Sequence, residues 1–286
     1  MKIKRYFSFV RFSHTIFAMP FAIVGFFMAT EYYGYSFNFV LLLLVILCMF
    51  FARNAAMAFN RLVDRYWDSI NVRTAEREIP KGLIKPSNAL FFVITNSIAF
   101  IVTTYFINQL CFYLSPVALI ILLGYSYTKR FTSLCHFILG IGLGLAPIGA
   151  FLSVSGEFRL LPIFLGLAVW AWVSGFDIIY AMNDIDFDRQ NHLFSIPAKY
   201  GLKGAFIITR IMHLLSGSII TSLYFIYFNH NLFFGIATVI FDGLLLYQNS
   251  IISPNNLKRI NFAFFNLNGL ASVLFAIFAI IGLFVK

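Results

Sequence analysis

Apolar runs of membrane-crossing length alternate with polar breaks along nearly the whole chain. A span needs roughly 20 predominantly apolar residues. Runs of about that length occupy 14–32, 38–59, 89–109, 111–128, 134–153, 160–182, 205–228, 231–249 and 262–285. The pattern predicts an all-α polytopic membrane protein with nine transmembrane helices, forming one membrane domain over 1–286. The first run follows a short basic segment, MKIKRYFSFVRF, but no small-residue cleavage site follows it. It therefore reads as a retained helix rather than a signal peptide.

The polar breaks are unequal. Those at 32–38 and 229–232 are short and nearly uncharged, whereas 61–87 and 184–204 are long and charged. With helices alternating in direction, all of the 21 Lys and Arg residues except Arg159 and Lys286 fall on the side of the N-terminus. Cationic loops stay in the cytoplasm, so the chain is expected to run N-in and C-out, with both long loops cytoplasmic. Long loops in compact proteins usually carry function, which puts the expected site on that inner face. The same placement accounts for the net charge of +10: these cations lie beside anionic headgroups, and no nucleic-acid partner is expected. A composition of 60% hydrophobic and 11% charged residues lies outside the soluble range. Cys48, Cys111 and Cys135 are scattered through apolar segments and suggest neither a disulfide framework nor a metal site.

Two acidic stretches carry the candidate chemistry. NRLVDRYWD places Asn60, Asp64 and Asp68 four residues apart, and DIIYAMNDIDFD places Tyr180, Asp184 and Asp188 at the same spacing, with Asp177 one turn earlier. In a helix this spacing stacks side chains on one face. Each set ends an apolar run and is followed by basic residues and an Ile-Pro pair, Ile79-Pro80 and Ile196-Pro197. The shared pattern suggests a distant internal repeat with the second and sixth helices equivalent. A lone Asp at a helix end is ordinarily a cap or a solvated charge, but two matched sets at a membrane edge point to function. Carboxylates four apart do not both stay ionised without a cation nearby. Mg2+ fits, because it takes one or two carboxylates and completes its shell with water and substrate phosphates. Two sets could hold two ions against one diphosphate, Asn60 adding an amide oxygen.

Arg73, Arg77, Lys129 and Arg130 supply phosphate-binding groups in the same loops, although any one of them could equally be a topology charge. GIGLGLAPIG, Gly140 to Gly149, lacks the ending of a phosphate loop and lies within a span. Its glycines suit close helix packing. Asp242 stands alone inside the eighth run.

These two motifs resemble the aspartate-rich pair of the UbiA superfamily of intramembrane prenyltransferases, N-x-x-x-D-x-x-x-D and D-x-x-Y-x-x-x-D-x-x-x-D. The likeness extends over nearly the whole chain, including YSYTKRF. AAMAFNRLVDR, the RTAEREIP loop and DIIYAMNDIDFDR with SIPAKYG are similar to the 4-hydroxybenzoate polyprenyltransferase-like enzymes, closest to the menaquinone-pathway branch. The resemblance implies nine helices around a central cavity, with a cytosolic cap, an opening to lipid and two Mg2+ ions. It implies that Asn60, Asp64 and Asp68 bind one ion with the diphosphate, and Asp184 and Asp188 the other, with Asp177 and Tyr180 close by. Asp64, Asp184 and Tyr180 are then the candidate catalytic residues. Arg77 and Lys129, with Arg73 and Arg130, would grip the diphosphate. Arg53, seven residues before Asn60, would bind the aromatic acid with Asp177. One departure is the first helix, RFSHTIFAMPF, where ubiquinone-pathway members carry Arg-Leu-x-Lys-Pro. His14 stands there as a candidate acceptor residue or a packing residue, and the departure puts 4-hydroxybenzoate itself in question.

The implied activity is Mg2+-dependent transfer of a polyprenyl chain from a polyprenyl diphosphate to an aromatic acid, 4-hydroxybenzoate or a naphthoate type, in menaquinone or ubiquinone biosynthesis. Metal ions and cations would neutralise the leaving diphosphate, and Tyr125, Tyr127 and Tyr180 would offer ring faces to the allylic cation. The lipid bilayer, in the cell's inner membrane, would hold the tail, with the site facing the cytoplasm. Alternatives are a haem, chlorophyll-type or ether-lipid acceptor, or a cation transporter. Transport is disfavoured because the acids cluster at inner helix ends rather than at the midplane. The sequence leaves acceptor, chain length and oligomeric state open.

Overall fold

The computed structural model of the chain describes residues 6, 8–10 and 17–285. His14 and Lys286 lie outside them. Among the described residues the structure is helical, with one isolated bridge between Ser253 and Asn256 and no strand. Eight helices have the length and hydropathy to cross a membrane, and a shorter apolar helix, Met19–Tyr32, precedes them. That shorter helix is the described part of the first predicted span.

The long helices follow one another around a ring. In chain order they are α1 (Met19–Phe27, extended by a π turn over Met28–Tyr32), α2 (Phe39–Val63), the short α3 (Arg65–Ile70), α4 (Pro86–Tyr105), α5 (Gln109–Thr128), α6 (Cys135–Ser155), α7 (Leu160–Ala181), the short α8 (Ile185–Gln190), α9 (Ile196–Tyr227), α10 (Leu232–Ile251) and α11 (Asn268–Phe284, entered by a π turn over Phe262–Leu267). α2 packs on α4, α4 on α5, α5 on α6, α6 on α7, α7 on α9, α9 on α10 and α10 on α11. α1 touches both α11 and α2, which closes the ring, and also packs along α6.

Three helix starts at the end away from the acidic sets share one device. Asn38, Asn108 and Asn231 cap α2, α5 and α10, accepting from Val40 N at 2.9 Å, Cys111 N at 2.8 Å and Phe234 N at 3.0 Å. Two of these caps also tie helix ends together: Asn108 Nδ2 donates to Leu152 O at 2.8 Å, and Asn231 Nδ2 to Gly282 O at 2.6 Å. Each bond satisfies a backbone group that neither the helix nor lipid can serve.

α7 is the most enclosed helix, with Leu165, Val169, Trp172, Val173 and Ile178 fully buried. Trp172 packs in an aromatic cluster with Phe21, Phe241 and Phe275, and its indole N–H donates to Asn268 Oδ1 at 3.0 Å. Two glycines of GIGLGLAPIG, Gly140 and Gly144, serve close helix packing as expected, whereas Gly149 faces open space. A Cβ on Gly144 would come within 2.7 Å of Gly166 O, and one on Gly140 within 2.7 Å of Trp170 O. α6 and α7 are in backbone contact there.

Two boundaries differ from the sequence pattern. α9 begins at Ile196, inside the segment expected to be loop. Ser195 caps it through Ala198 N at 3.3 Å, and Pro197 sits in its first turn, where a missing N–H costs nothing. Gly201, at φ +70°, then breaks the helix, near the predicted start. α2 runs on to Val63, past the predicted end at 59, so Arg53 lies well inside the helix.

Candidate active site

Both acidic sets stand where a helix breaks. The last turn of α2 carries Asn60. Asp64 is the junction to α3, and α3 carries Asp68. The break is small: Asp64 N still donates to Asn60 O at 2.9 Å and Asp68 N to Asp64 O at 2.8 Å. α7 carries Asp177 and Tyr180. A single 3-10 turn, Met182–Asp184, leads into α8, which carries Asp188. All seven residues line one cavity of about 260 Å³, and so do Arg53, Arg73, Arg77, Lys129 and Arg130. Every described metal, diphosphate and acceptor candidate is thus brought to one place.

Within the cavity each metal-ligand candidate acid meets a cation. Arg73 forks onto Asp184, with Nε 2.8 Å from Oδ1 and Nη2 on Oδ2, while its Nη1 donates to Tyr180 Oη at 2.9 Å. Asn71 Nδ2 adds a bond to Asp184 Oδ1 at 3.1 Å. Arg77 Nη1 spans both oxygens of Asp68 at 2.7 and 2.9 Å. Lys129 Nζ lies 2.7 Å from Asp188 Oδ1. Arg130 Nη2 approaches Asp64 Oδ1 only to 3.6 Å and donates instead to Val63 O at 2.8 Å; Asn60 Nδ2 bonds Asp64 Oδ2 at 3.1 Å.

The electrostatics follow. Burial pushes the Asp64 carboxyl up to about 6, countered in part by Lys129, with the charge of Asp68 adding to the rise. Burial pulls the Lys129 ammonium down, but the Asp188 carboxylate more than offsets it and holds it raised. The Arg73 guanidinium is likewise depressed by burial and raised on balance by its hydrogen bond to Asp184.

Among the described residues no group of three or more His, Cys, Asp or Glu side chains forms a ready metal cage. An ion held by one or two carboxylates, with water and phosphate completing its shell, needs none. Asp188 tests the fit. It is wholly buried, and its close partner is the Lys129 ammonium, paired to Oδ1 at 2.7 Å, while Oδ2 has no hydrogen-bond partner among the described residues. A buried carboxylate with unused lone pairs at a cavity wall suits an oxygen-seeking cation.

Deeper in the cavity, Arg53 presents Nε and Nη2 buried and without an acceptor. Tyr125, Tyr180, Phe176 and Phe264 supply aromatic wall, the Tyr180 and Phe264 rings stacking at 4.1 Å. Tyr127 does not join them, contrary to expectation. It is exposed, edge-on to Phe59 at 5.7 Å, with the Arg130 guanidinium 5.1 Å over its outer face. Tyr127 is two residues from Tyr125, about 200° around a helix, so the two rings face opposite ways. Asp242 lies between α9 and α10, accepting from Thr221 Oγ1 at 2.8 Å.

Sequence reasoning missed Asn71 and His136. His136 Nδ1 lies 2.7 Å from Asp177 Oδ2 across α6 and α7. The available signal was a histidine at the start of an apolar run, seven residues after Lys129. At the cavity wall, Glu78 pairs with the guanidinium of the lining residue Arg61 at 3.0 Å and accepts from Ser8 Oγ at 2.6 Å, which anchors the loop after α3.

Comparison with known proteins gives consistent matches. The model of the UbiA prenyltransferase family matches residues 18–270. A 4-hydroxybenzoate octaprenyltransferase of Tolumonas auensis is 30% identical over 242 residues, 84% of this chain and 83% of that protein. One of Vesicomyosocius okutanii is 27% identical over 238 residues, 82% and 85% of the two chains. Among solved structures, the apo structure of a UbiA homolog from Aeropyrum pernix K1 aligns with a TM-score of 0.84 at 30% identity, over 94% of this chain and 97% of that one. A UbiA homolog from Archaeoglobus fulgidus bound to DMAPP and Mg2+ shares the fold, with a TM-score of 0.76 at 19% identity over 99% and 100% of the two chains.

Proposed function

The chain is a prenyltransferase of the UbiA family, and from that premise we propose that it transfers a polyprenyl chain from a polyprenyl diphosphate to an aromatic acid, 4-hydroxybenzoate or a naphthoate type, with Mg2+ as cofactor. One observation carries the proposal. A single cavity holds a carboxylate-and-cation cluster at one end and, deeper, an arginine with two unsatisfied donors, Nε and Nη2. The first suits a metal-bound diphosphate, the second a carboxylate.

Asn60, Asp64 and Asp68 on one side and Asp184 and Asp188 on the other would hold Mg2+, which when bound supplies the charge that lets diphosphate leave. Arg73, Arg77, Lys129 and Arg130 now neutralise or flank these acids, and their donors serve phosphate oxygens once metal takes over the carboxylates. Tyr180 Oη, held by Arg73, is fixed at the rim of the cluster. The rings of Tyr125, Tyr180, Phe176 and Phe264 exclude water and turn π faces towards an allylic cation. Arg53 binds the acceptor carboxylate by a bidentate fork. An acceptor without an acidic group, as in haem or ether-lipid chemistry, would leave Arg53 unsatisfied.

The chain is a polytopic membrane protein with bacterial relatives. We place it in the cytoplasmic membrane with the cavity facing inwards, supported by the clustering of Lys and Arg at that end. The AAMAFNRLVDR and SIPAKYG stretches favour the menaquinone branch, while the relatives compared bear the 4-hydroxybenzoate name. Membranes containing the protein, given geranyl diphosphate, Mg2+ and either 4-hydroxybenzoate or 1,4-dihydroxy-2-naphthoate, should yield a prenylated aromatic acid by mass spectrometry. Prenyl transfer to neither acid would overturn the proposal.

A further inference from the structure

Five carboxylates line the cavity, and one is held differently from the rest. Asp68, Asp184 and Asp188 are ion-paired to Arg77, Arg73 and Lys129, and Asp64 lies near Arg130. Asp177 pairs with no Arg or Lys among the described residues. Its partner is His136, 3% exposed at the start of α6, with Nδ1 2.7 Å from Asp177 Oδ2.

The other ring nitrogen meets the start of α9: Ile196 N lies 3.3 Å from His136 Nε2. Nδ1 is therefore the ring nitrogen that turns its N–H to Asp177. A ring braced on its far side by backbone holds the Asp177 carboxylate in one orientation. Ile196 belongs to the Ile-Pro pair that follows the second acidic set, and it opens α9. One histidine thus joins α6, α7 and α9 at the cavity.

Position gives Asp177 a use. It precedes Asp184 by seven residues, about 10 Å along a helix, as Arg53 precedes Asn60. An acceptor gripped by Arg53 lies at the depth of Asp177 rather than of the metal acids.

We infer that His136 is a positioning residue that holds Asp177 ready to take the proton released when the aromatic acceptor is prenylated. The prenyl C–O bond breaks with its electron pair leaving on diphosphate. A ring π pair forms the new C–C bond. The C–H pair at that carbon returns to the ring, and its proton passes to Asp177. The inference rests on the prenyl-transfer proposal.

The test uses the full chain in membranes with geranyl diphosphate, Mg2+ and 4-hydroxybenzoate, either unlabelled or deuterated at the ring positions beside the hydroxyl. His136→Leu removes the N–H. It should lower kcat about 100-fold, leave both KM values within about twofold, and raise the deuterium isotope effect above the parent's as proton removal becomes slow. His136→Asn places an amide N–H near the Nδ1 position and should recover at least about tenfold of that loss, with the isotope effect falling back. Asp177→Asn should match His136→Leu or exceed it, and combining the two should cost nothing more. Parent-like kcat in His136→Leu would overturn the inference. So would lost activity with an unchanged isotope effect and no recovery in His136→Asn. A parent that prenylates no acceptor would instead overturn the prenyl-transfer proposal.

Discussion

Arg53 carries two buried donors without acceptors, Nε and Nη2, on a helix interior, and an unpaired cation at membrane depth costs about 2.5–3.5 kcal/mol even on the lenient scale. A carboxylate ligand removes that cost. Arg53→Lys keeps the charge but loses the fork, so KM for the aromatic acid should rise about tenfold while KM for the prenyl diphosphate stays put. Steady-state kinetics with each substrate varied in turn checks this, and equal effects on both constants would take Arg53 out of the acceptor site. Asp188 is the complementary case, an anion with unused lone pairs. Asp188→Asn should cut kcat/KM by about 100-fold or more, on the scale of losing a main electrostatic contact, and excess chelator should abolish turnover until Mg2+ is restored. Asp64 adds a pH signature. Its folded pKa, raised by burial to about 6 from 3.8, means that the metal-free folded protein binds this proton more tightly than the unfolded chain. Its contribution to stability is full below the unfolded value and is lost as pH rises through about 6. Mg2+ binds only the ionised carboxylate and reverses the trend. Thermal unfolding in detergent should show a larger Mg2+-induced rise in Tm near pH 7.5 than near pH 5.5; equal rises would sink the metal assignment for Asp64.

At the scale of elements, the site depends on where helices break and how closely two of them approach. α2 and α7 each end just ahead of a metal-ligand candidate, so a near-helical step carries the second acid of each set, Asp68 or Asp188, onto a short following helix. The four-residue spacing survives because the backbone bonds across the first break survive. α6 and α7 bring His136 and Asp177 within reach of each other, and their backbones meet at Gly144 and Gly166. Gly144→Val would drive a methyl group into the Gly166 carbonyl. Overpacking of this kind costs about 1–3 kcal/mol. The expected result is a Tm lowered by several degrees together with reduced kcat, because α6 and α7 must separate. An unchanged Tm would mean that the close contact does not hold in the membrane. The start of α9 was hidden in the sequence for a local reason. Ser, Pro, Gly and Lys there read as loop, yet Ser195 and Pro197 are residues that begin a helix.

At the scale of the whole molecule, the ring turns one end of every long helix towards the acidic cavity mouth. Reporter fusions at Ser69 and Asn191 should both read cytoplasmic, and fusions at Glu157 and His230 the opposite side. A non-cytoplasmic signal at either of the first two would move the cavity mouth to the other face. The sequence by itself determined the number and course of the spans, their orientation bias and the two acidic sets, since run length, loop charge and four-residue spacing are properties of neighbouring residues. It could not say which face of each helix turns inwards. Spans apolar nearly all the way round, such as α5 and α6, carry little amphipathic stripe, and lipid is as apolar as a packed core. That choice belongs to neighbours distant in sequence. It took Tyr127 out of the cavity and left Tyr125 in, set Arg53 inside without an acceptor, and brought His136 across from α6 to Asp177. It also matched Arg73 to Asp184 and Lys129 to Asp188, because buried charge must find its opposite and only the closed ring decides which one is near.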